Sequence, residues 1–189
     1  MSNASPLDLK RDRPGPRARR LGEMLRVDHA GEYGAVQIYK GQRAVFAARP
    51  EKRRTAALIE AMEAGETRHL DTFDRLLLER GVRPTVLAPL WNAAGFALGA
   101  ATALIGEKAA MACTEAVEEV IEKHYGDQAE ELGETEPELA LLVREFRDDE
   151  IGHKETAERE GAREAAGYPV LSAAIKAGCR LAIRLSEKL

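Results

Sequence analysis

Two short stretches, "ETRHLDT" at 66–72 and "EIGHKET" at 150–156, restrict the fold of this chain more than any other feature. Both read Glu-x-x-His. Residues three apart share one face of an α-helix, so Glu66 with His69, and Glu150 with His153, can each grip one metal ion. The sequence holds 24 Glu and 4 His, so about 0.5 such matches arise by chance and the pair needs further partners. Those partners are present. Upstream of each motif lies a Glu followed seven residues later by a Tyr: Glu32 with Tyr39, and Glu118 with Tyr125. Seven residues are almost two helical turns, which places each Tyr on the stripe of its Glu. The separations also agree, 34 residues from Glu32 to Glu66 and 32 from Glu118 to Glu150. The chain therefore reads as two copies of a helix pair. Packed antiparallel, the pairs bring four carboxylates and two imidazoles into one bundle core, the donor set of a di-iron or di-manganese carboxylate site. Four carboxylates balance two divalent cations; buried without them, they repel one another and several must protonate.

The rest of the sequence is compatible with such a bundle. At 189 residues and 20.7 kDa the chain is expected to form one domain, all-α, from residue 21 to 189. Ala, Leu, Glu and Arg dominate, and no segment alternates with period two between turn signals. Cys113 and Cys179 sit in Ala-rich helical sequence and read as small buried hydrophobes of a reducing compartment. Residues 115–164 carry 18 acids against 6 bases, which argues against a nucleic-acid partner. The first twenty residues carry 6 bases against 2 acids. They lack the apolar run of a secretory signal, and Pro14, Gly15 and Pro16 spoil the amphipathic helix of a transit peptide, leaving a disordered basic tail as the reading.

Punctuation places the helices. The first is expected over about Leu21–Ala48 and the second over about Glu51–Arg80, closed by Gly81. The third spans about Glu107–Leu132. The fourth opens at "TEPE", where Thr135 and Glu138 read as a capping box, and ends by Gly167. A last helix covers about Val170–Lys188, with Lys176, Arg180, Arg184 and Lys188 as a basic stripe suited to a solvated face or to anionic head groups. Gly31 and Gly34 beside Glu32 imply close approach of another helix or of a ligand, since glycine within a helix costs roughly 1 kcal/mol relative to Ala.

Between the halves lie 23 uncharged residues, 84–106. This passes the length of about 18 at which a transmembrane helix is considered. A span would put the halves of the metal site on opposite sides of a bilayer, which the repeat forbids. A membrane-facing or lipid-lining segment is the preferred reading, anchored by Trp91, and a buried crossover between helix pairs is the plainer one. Gly95 and Gly99, one turn apart, are expected to form a smooth groove along it.

Among the crowded acids of the third helix, Met111, Thr114, Ile121 and Tyr125 lie within about 60° of Glu118, while Glu119 is turned by about 100°. Glu118 is therefore the candidate. His29 is given a packing or supporting role, because the equivalent place in the second half holds Glu115. Asp28, and Asp148 or Asp149, are candidates for orienting ligand imidazoles through their other ring nitrogen. Tyr39 and Tyr125 read as core tyrosines with bonded hydroxyls, with delivery of electrons or protons to the site as the sharper alternative.

Around these residues the sequence resembles the demethoxyubiquinone hydroxylases, di-iron monooxygenases of coenzyme Q biosynthesis. The likeness is carried by "RVDHAGEYGA", "RPTVLAPLWNAAGFALGAATAL", "AMACTEAVEE", "FRDDEIGH" and "AGCRLAIRLSEKL", and covers about residues 21–189. It implies a ferritin-like four-helix bundle with an apolar crossover and a C-terminal amphipathic helix. The family's ligand pattern falls on Glu32, Glu66, His69, Glu118, Glu150 and His153. His124 and Tyr125 match a pair placed near the iron site. The implied reaction is hydroxylation of the ring of a polyprenylated demethoxyubiquinol, using two iron ions, dioxygen and reducing equivalents derived from NADH. The implied setting is the cytoplasmic face of the inner membrane, attached peripherally, with an accessory lipid-binding protein and a homo-oligomer as implied partners. A ferritin-like iron store or peroxide scavenger would use the same ligands but has no use for 23 uncharged residues. A metal-free lipid-binding scaffold leaves six convergent residues unexplained.

Overall fold

The computed structural model describes residues 15–189, and among them every regular element is helical. The expected basic tail falls mostly on residues 1–14, outside the described part. Its last residues do not fit that expectation: α1 (Pro16–Ala47) begins within it, with proline in the first turn, and Arg20 pairs with Glu131 at 2.7 Å. A short 3₁₀ turn, Pro50–Lys52, leads into α2 (Arg53–Arg80). That helix ends at Gly81, whose φ of 62° is the left-handed cap glycine adopts without strain. The uncharged segment forms α3 (Ala88–Ile105), followed by α4 (Glu107–Leu132), α5 (Pro137–Arg159) and α6 (Tyr168–Lys188).

Two boundaries differ from expectation. The capping box at α5 does not form: Thr135 Oγ1 instead donates to Leu132 O at 2.7 Å, closing the end of α4. Glu136 occupies the cap position and is engaged by Arg80 at 3.2 Å. Further on, α5 stops at Arg159 rather than near Gly167. Gly161 turns left-handed with φ 88°, and a 3₁₀ turn over Ala162–Glu164 follows.

α1, α2, α4 and α5 make the bundle, and each neighbouring pair runs antiparallel. Between α1 and α2, Arg43 bonds Glu63 at 2.6 Å near one end while His29 meets Asp74 at 3.0 Å near the other. Between α2 and α5, Arg54 bonds Glu160 at 2.6 Å and Arg80 reaches Glu136. Two apolar layers fill the interior. One gathers Leu25, Phe73, Leu77, Val143 and Phe146; the other gathers Phe46, Ile59, Met111 and Ala157. The candidate site residues lie between these layers, which exclude water above and below them.

α3 runs parallel to α1 and in direct contact with it. A Cβ added to Gly95 would lie 2.8 Å from the Gly34 carbonyl, and one added to Gly99 would collide with the Ile38 backbone. The Gly95–Gly99 face is therefore the helix contact and not an open groove, a correction to the sequence reading. Its opposite face is exposed and apolar, with Leu90, Phe96, Leu104 and Ile105. The helix is long and apolar enough to cross a membrane, with mean hydropathy 1.3 over 18 residues. Of the basic stripe on α6, Arg180, Arg184 and Lys188 are exposed, whereas Lys176 turns inward to Glu119 at 2.6 Å.

Candidate metal centre

Each helix of the bundle supplies one stripe to the centre. Glu32 and Tyr39 come from α1, Glu66 and His69 from α2, Glu118 and Tyr125 from α4, Glu150 and His153 from α5. Glu32, Glu66, Glu118, Glu150 and His69 are fully buried, and the His153 side chain is 16% exposed. The structure thus brings together all six residues singled out from spacing.

Their arrangement differs from the simplest expectation, in which each Glu-x-x-His motif grips its own ion. The motifs interlock. His153 Nδ1 lies 2.7 Å from Glu66 of the other motif and 3.6 Å from its own Glu150. His69 Nδ1 lies 3.2 Å from Glu150 and 3.9 Å from its own Glu66. Donor atoms consequently fall into two overlapping groups, each within 4.8 Å: Glu32, Glu66, His69 and Glu150; and Glu66, Glu118, Glu150 and His153. Glu66 and Glu150 belong to both.

The tyrosines exchange partners between the halves in the same way. Tyr39 of α1 donates to Glu118 of α4 at 2.5 Å, and Tyr125 of α4 donates to Glu32 of α1. Burial pushes both phenols well above their ordinary range, and the carboxylates beside them add to it, so they stay neutral donors. Each leaves the second oxygen of its glutamate free toward the centre. Glu32 Oε2, Glu118 Oε2, both oxygens of Glu66 and Glu150, and the Nδ1 atoms of His69 and His153 are buried without a directed hydrogen bond. Six carboxylate oxygens and two imidazole nitrogens converging on one interior volume are costly for a protein alone, and they are the atoms a pair of cations would satisfy.

Protonation follows the same logic. Burial raises Glu32, and raises Glu66 and Glu118 further, with the Glu150 charge adding to it at Glu66 and Glu118. Burial also acts to raise Glu150, but the imidazoles of His153 and His69 outweigh it and hold this carboxyl below its usual range. Burial would lower the two histidines; the carboxylates around them prevail and lift each to about 10. The cluster draws in protons where it has no other cation.

The supporting residues fall out unequally. Asp149 meets His69 Nε2 at 3.1 Å and is itself held by Arg68 at 2.6 Å. Asp148 makes no such contact. Asp28 orients no candidate ligand: it accepts from Gln128 at 2.6 Å and faces His124 Nε2 at 3.0 Å, one helical position from Tyr125. His124 therefore stands beside the cluster rather than in it; burial lowers its pKa, but Asp28 outweighs this and raises it. His29 pairs with Asp74 and stacks on Tyr33. Sequence reading missed Phe146, whose ring stacks on His69 with centroids 3.9 Å apart. It missed Gly65 too, where an added Cβ would lie 3.2 Å from the His153 ring.

On the far side of α1 and α4 a cavity of 580 Å³ runs between α1, α3, α4 and α6. Among the described residues that line it, only Trp91, Cys179 and Ser186 have a polar side-chain atom. Gly31, Gly34 and Ala35, the neighbours of Glu32, line it, as does Val117, the neighbour of Glu118. Nothing approaches within 4 Å of a Cβ at Gly31 or Gly34, so Gly31 opens space beside the charged cluster, while Gly34 also gives its carbonyl to the α3 contact.

With this geometry in hand, comparison with known proteins decides the family. The family model of the ubiquinone biosynthesis protein COQ7 matches residues 19–186. The chain belongs to that family. It is 51% identical to the 3-demethoxyubiquinol 3-hydroxylase of Rhodospirillum rubrum, covering 93% of this chain and 81% of that protein. It is 49% identical to the human mitochondrial NADPH-dependent 3-demethoxyubiquinone 3-hydroxylase, over 89% of this chain and 78% of the relative. The yeast 5-demethoxyubiquinone hydroxylase is 41% identical over the same shares.

Proposed function

We propose that the protein is a di-iron monooxygenase that hydroxylates the ring of a polyprenylated demethoxyubiquinol in ubiquinone biosynthesis. The single observation that carries this reading is the pair of overlapping carboxylate–imidazole groups beside an apolar cavity. Glu32, Glu66, His69, Glu118, Glu150 and His153 would hold the two irons, with Glu66 and Glu150 shared. Bound iron would supply the redox chemistry that activates dioxygen, with reducing equivalents drawn from a nicotinamide nucleotide. The names of the relatives above support the substrate class and the reaction.

The protein's own groups have definable parts. Tyr125 and Tyr39 fix the glutamates of α1 and α4, leaving one oxygen of each for metal. Between them the apolar layers keep bulk water from the reacting atoms. The cavity accepts a ring carrying an apolar tail, and its exposed boundary helices, α3 and α6, suit the surface of a membrane from which such a substrate would come. His124, 25% exposed and tied to Asp28, has its ring centroid 6.0 Å from that of Tyr125 and suits proton delivery.

The test is conversion. Protein loaded with iron and supplied with reductant and dioxygen should hydroxylate a short-chain demethoxyubiquinol, with one oxygen atom from dioxygen appearing in the product. Iron binding with no ring hydroxylation would instead mark an iron store or peroxide scavenger.

A further inference from the structure

The two helix pairs repeat each other, so the residue before each motif's Glu should be equivalent in both. It is not. Asp149 precedes Glu150, whereas Gly65 precedes Glu66. Because the motifs interlock, the residue at this place in one half faces the imidazole of the other. Asp149 accordingly reaches His69 Nε2 at 3.1 Å, with Arg68 holding its carboxylate at 2.6 Å. Gly65 lies against the His153 ring and offers no acceptor; its missing side chain is the room the ring occupies. The surroundings differ to match. His69 is fully buried and stacked on Phe146, while His153 is 16% exposed and meets Tyr39 only edge-on, with centroids 6.2 Å apart.

We propose that the two metal positions are inequivalent, with the ion at His69 and Glu32 bound more tightly and Asp149 as the positioning residue responsible. This rests on the two-metal reading above. With Nε2–H donating to Asp149, the His69 ring is fixed in one tautomer and one orientation, its Nδ1 lone pair aimed at the centre. The carboxyl acceptor also makes that lone pair more basic. His153 has neither constraint: on binding it must choose a tautomer and lose ring freedom. Loss of such a supporting partner costs 10–100-fold in metal affinity in comparable sites, which sets the expected gap at roughly that size. The ion at His153 and Glu118 is then the later to bind and the earlier to leave.

The test is a titration of full-length metal-free protein with Co²⁺, following the paramagnetically shifted imidazole resonances rather than turnover. The first equivalent should shift the His69 resonances alone, and the second those of His153. His153→Ala should keep the first event; His69→Ala should lose it. Asp149→Ala should bring the two events together. Asp149→Asn, which retains an acceptor oxygen but no charge, should leave a narrowed gap, and it carries the test if the alanine variant misfolds. Two ions binding with both histidines shifting in parallel would overturn the inequivalence and leave the two-metal reading standing. A gap unchanged by Asp149→Ala would leave the positions inequivalent but overturn Asp149 as the residue responsible. Failure to take up a second ion at any concentration would overturn both the inequivalence and the two-metal reading.

Discussion

The charged chamber and the apolar cavity lie on opposite sides of the same two helices, and their contrast shows how little sequence separates two kinds of site. On α1, Glu32 and Tyr39 face the chamber, while Gly31, Gly34 and Ile38 face the cavity. On α4, Glu118 and Tyr125 face the chamber, while Val117 and Ile121 face the cavity. A one-residue step turns a helix by about 100°, so adjacent residues serve different solvents. The chamber is stable only with cations or protons in it. The cavity demands nothing except room, which glycine provides. Damage to the chamber should therefore appear as lost metal, and damage to the cavity as lost turnover with metal intact.

The largest effect is expected at a shared carboxylate. Glu66→Gln keeps the volume but removes the charge that both metal groups use. Iron content should fall from two per chain to well below one, as counted after anaerobic loading. In the same sample freed of metal, the melting temperature should hold or rise. Burial and the Glu150 charge already drive Glu66 toward its neutral form there, outweighing its contact with His153. Full iron occupancy, or a metal-free protein that is clearly weakened, would break the distinction between the two regions.

Next comes obstruction of the cavity. Leucine at position 31 meets no atom within 4 Å of its Cβ and extends into the open space. Quinol hydroxylation should drop on the order of tenfold or more, as expected for about 1–3 kcal/mol of steric conflict with the substrate. Iron content and thermal stability should remain those of the wild type. Hydroxylation at full rate by Gly31→Leu would remove the cavity from the substrate's path.

The same substitution on two glycines, one in α1 and one in α3, sharpens the contrast further. Gly34→Ala adds a methyl group into open space and replaces a poor helix former, so it should stabilise the protein by up to about 1 kcal/mol. Gly99→Ala drives a methyl group into the Ile38 backbone and should destabilise it by about 1–3 kcal/mol or more. Chemical denaturation of both variants decides the matter; equal effects would deny the close α1–α3 contact.

The smallest effect belongs to the polar atoms at the cavity wall. Trp91 Nε1 donates to Ser186 Oγ at 2.9 Å and ties α3 to α6. Trp91→Phe should cost about 0.5–1.5 kcal/mol, the usual net worth of one hydrogen bond, without touching iron content.

Much of this was legible from spacing. The period of 3.6 residues and the near-equal separations of Glu32–Glu66 and Glu118–Glu150 fix which side chains share an interior, because helix geometry is local. What spacing does not encode is how the halves interdigitate. That Glu66 lies closer to His153 than to His69, or that Tyr39 serves Glu118, depends on the crossing of four helices. Gly95 and Gly99 illustrate the same limit: a small-residue stripe reads equally as a groove or as a seat for another helix, and only the position of α1 decides. Asp149 was a candidate for orienting a histidine, but so was Asp28, which turned to His124 and Gln128 instead. The capping box failed because Thr135 had a nearer acceptor in the end of α4.

The central claim is that eight buried polar atoms on six residues, Glu32, Glu66, His69, Glu118, Glu150 and His153, exist to hold two ions. Its most direct test is the iron stoichiometry of full-length protein loaded anaerobically and freed of loosely bound metal, with Mössbauer spectra taken on the same sample. The account predicts two irons per chain in a carboxylate and imidazole environment, magnetically coupled after oxidation. A chain that saturates at one iron, or whose two irons show no coupling, would contradict it.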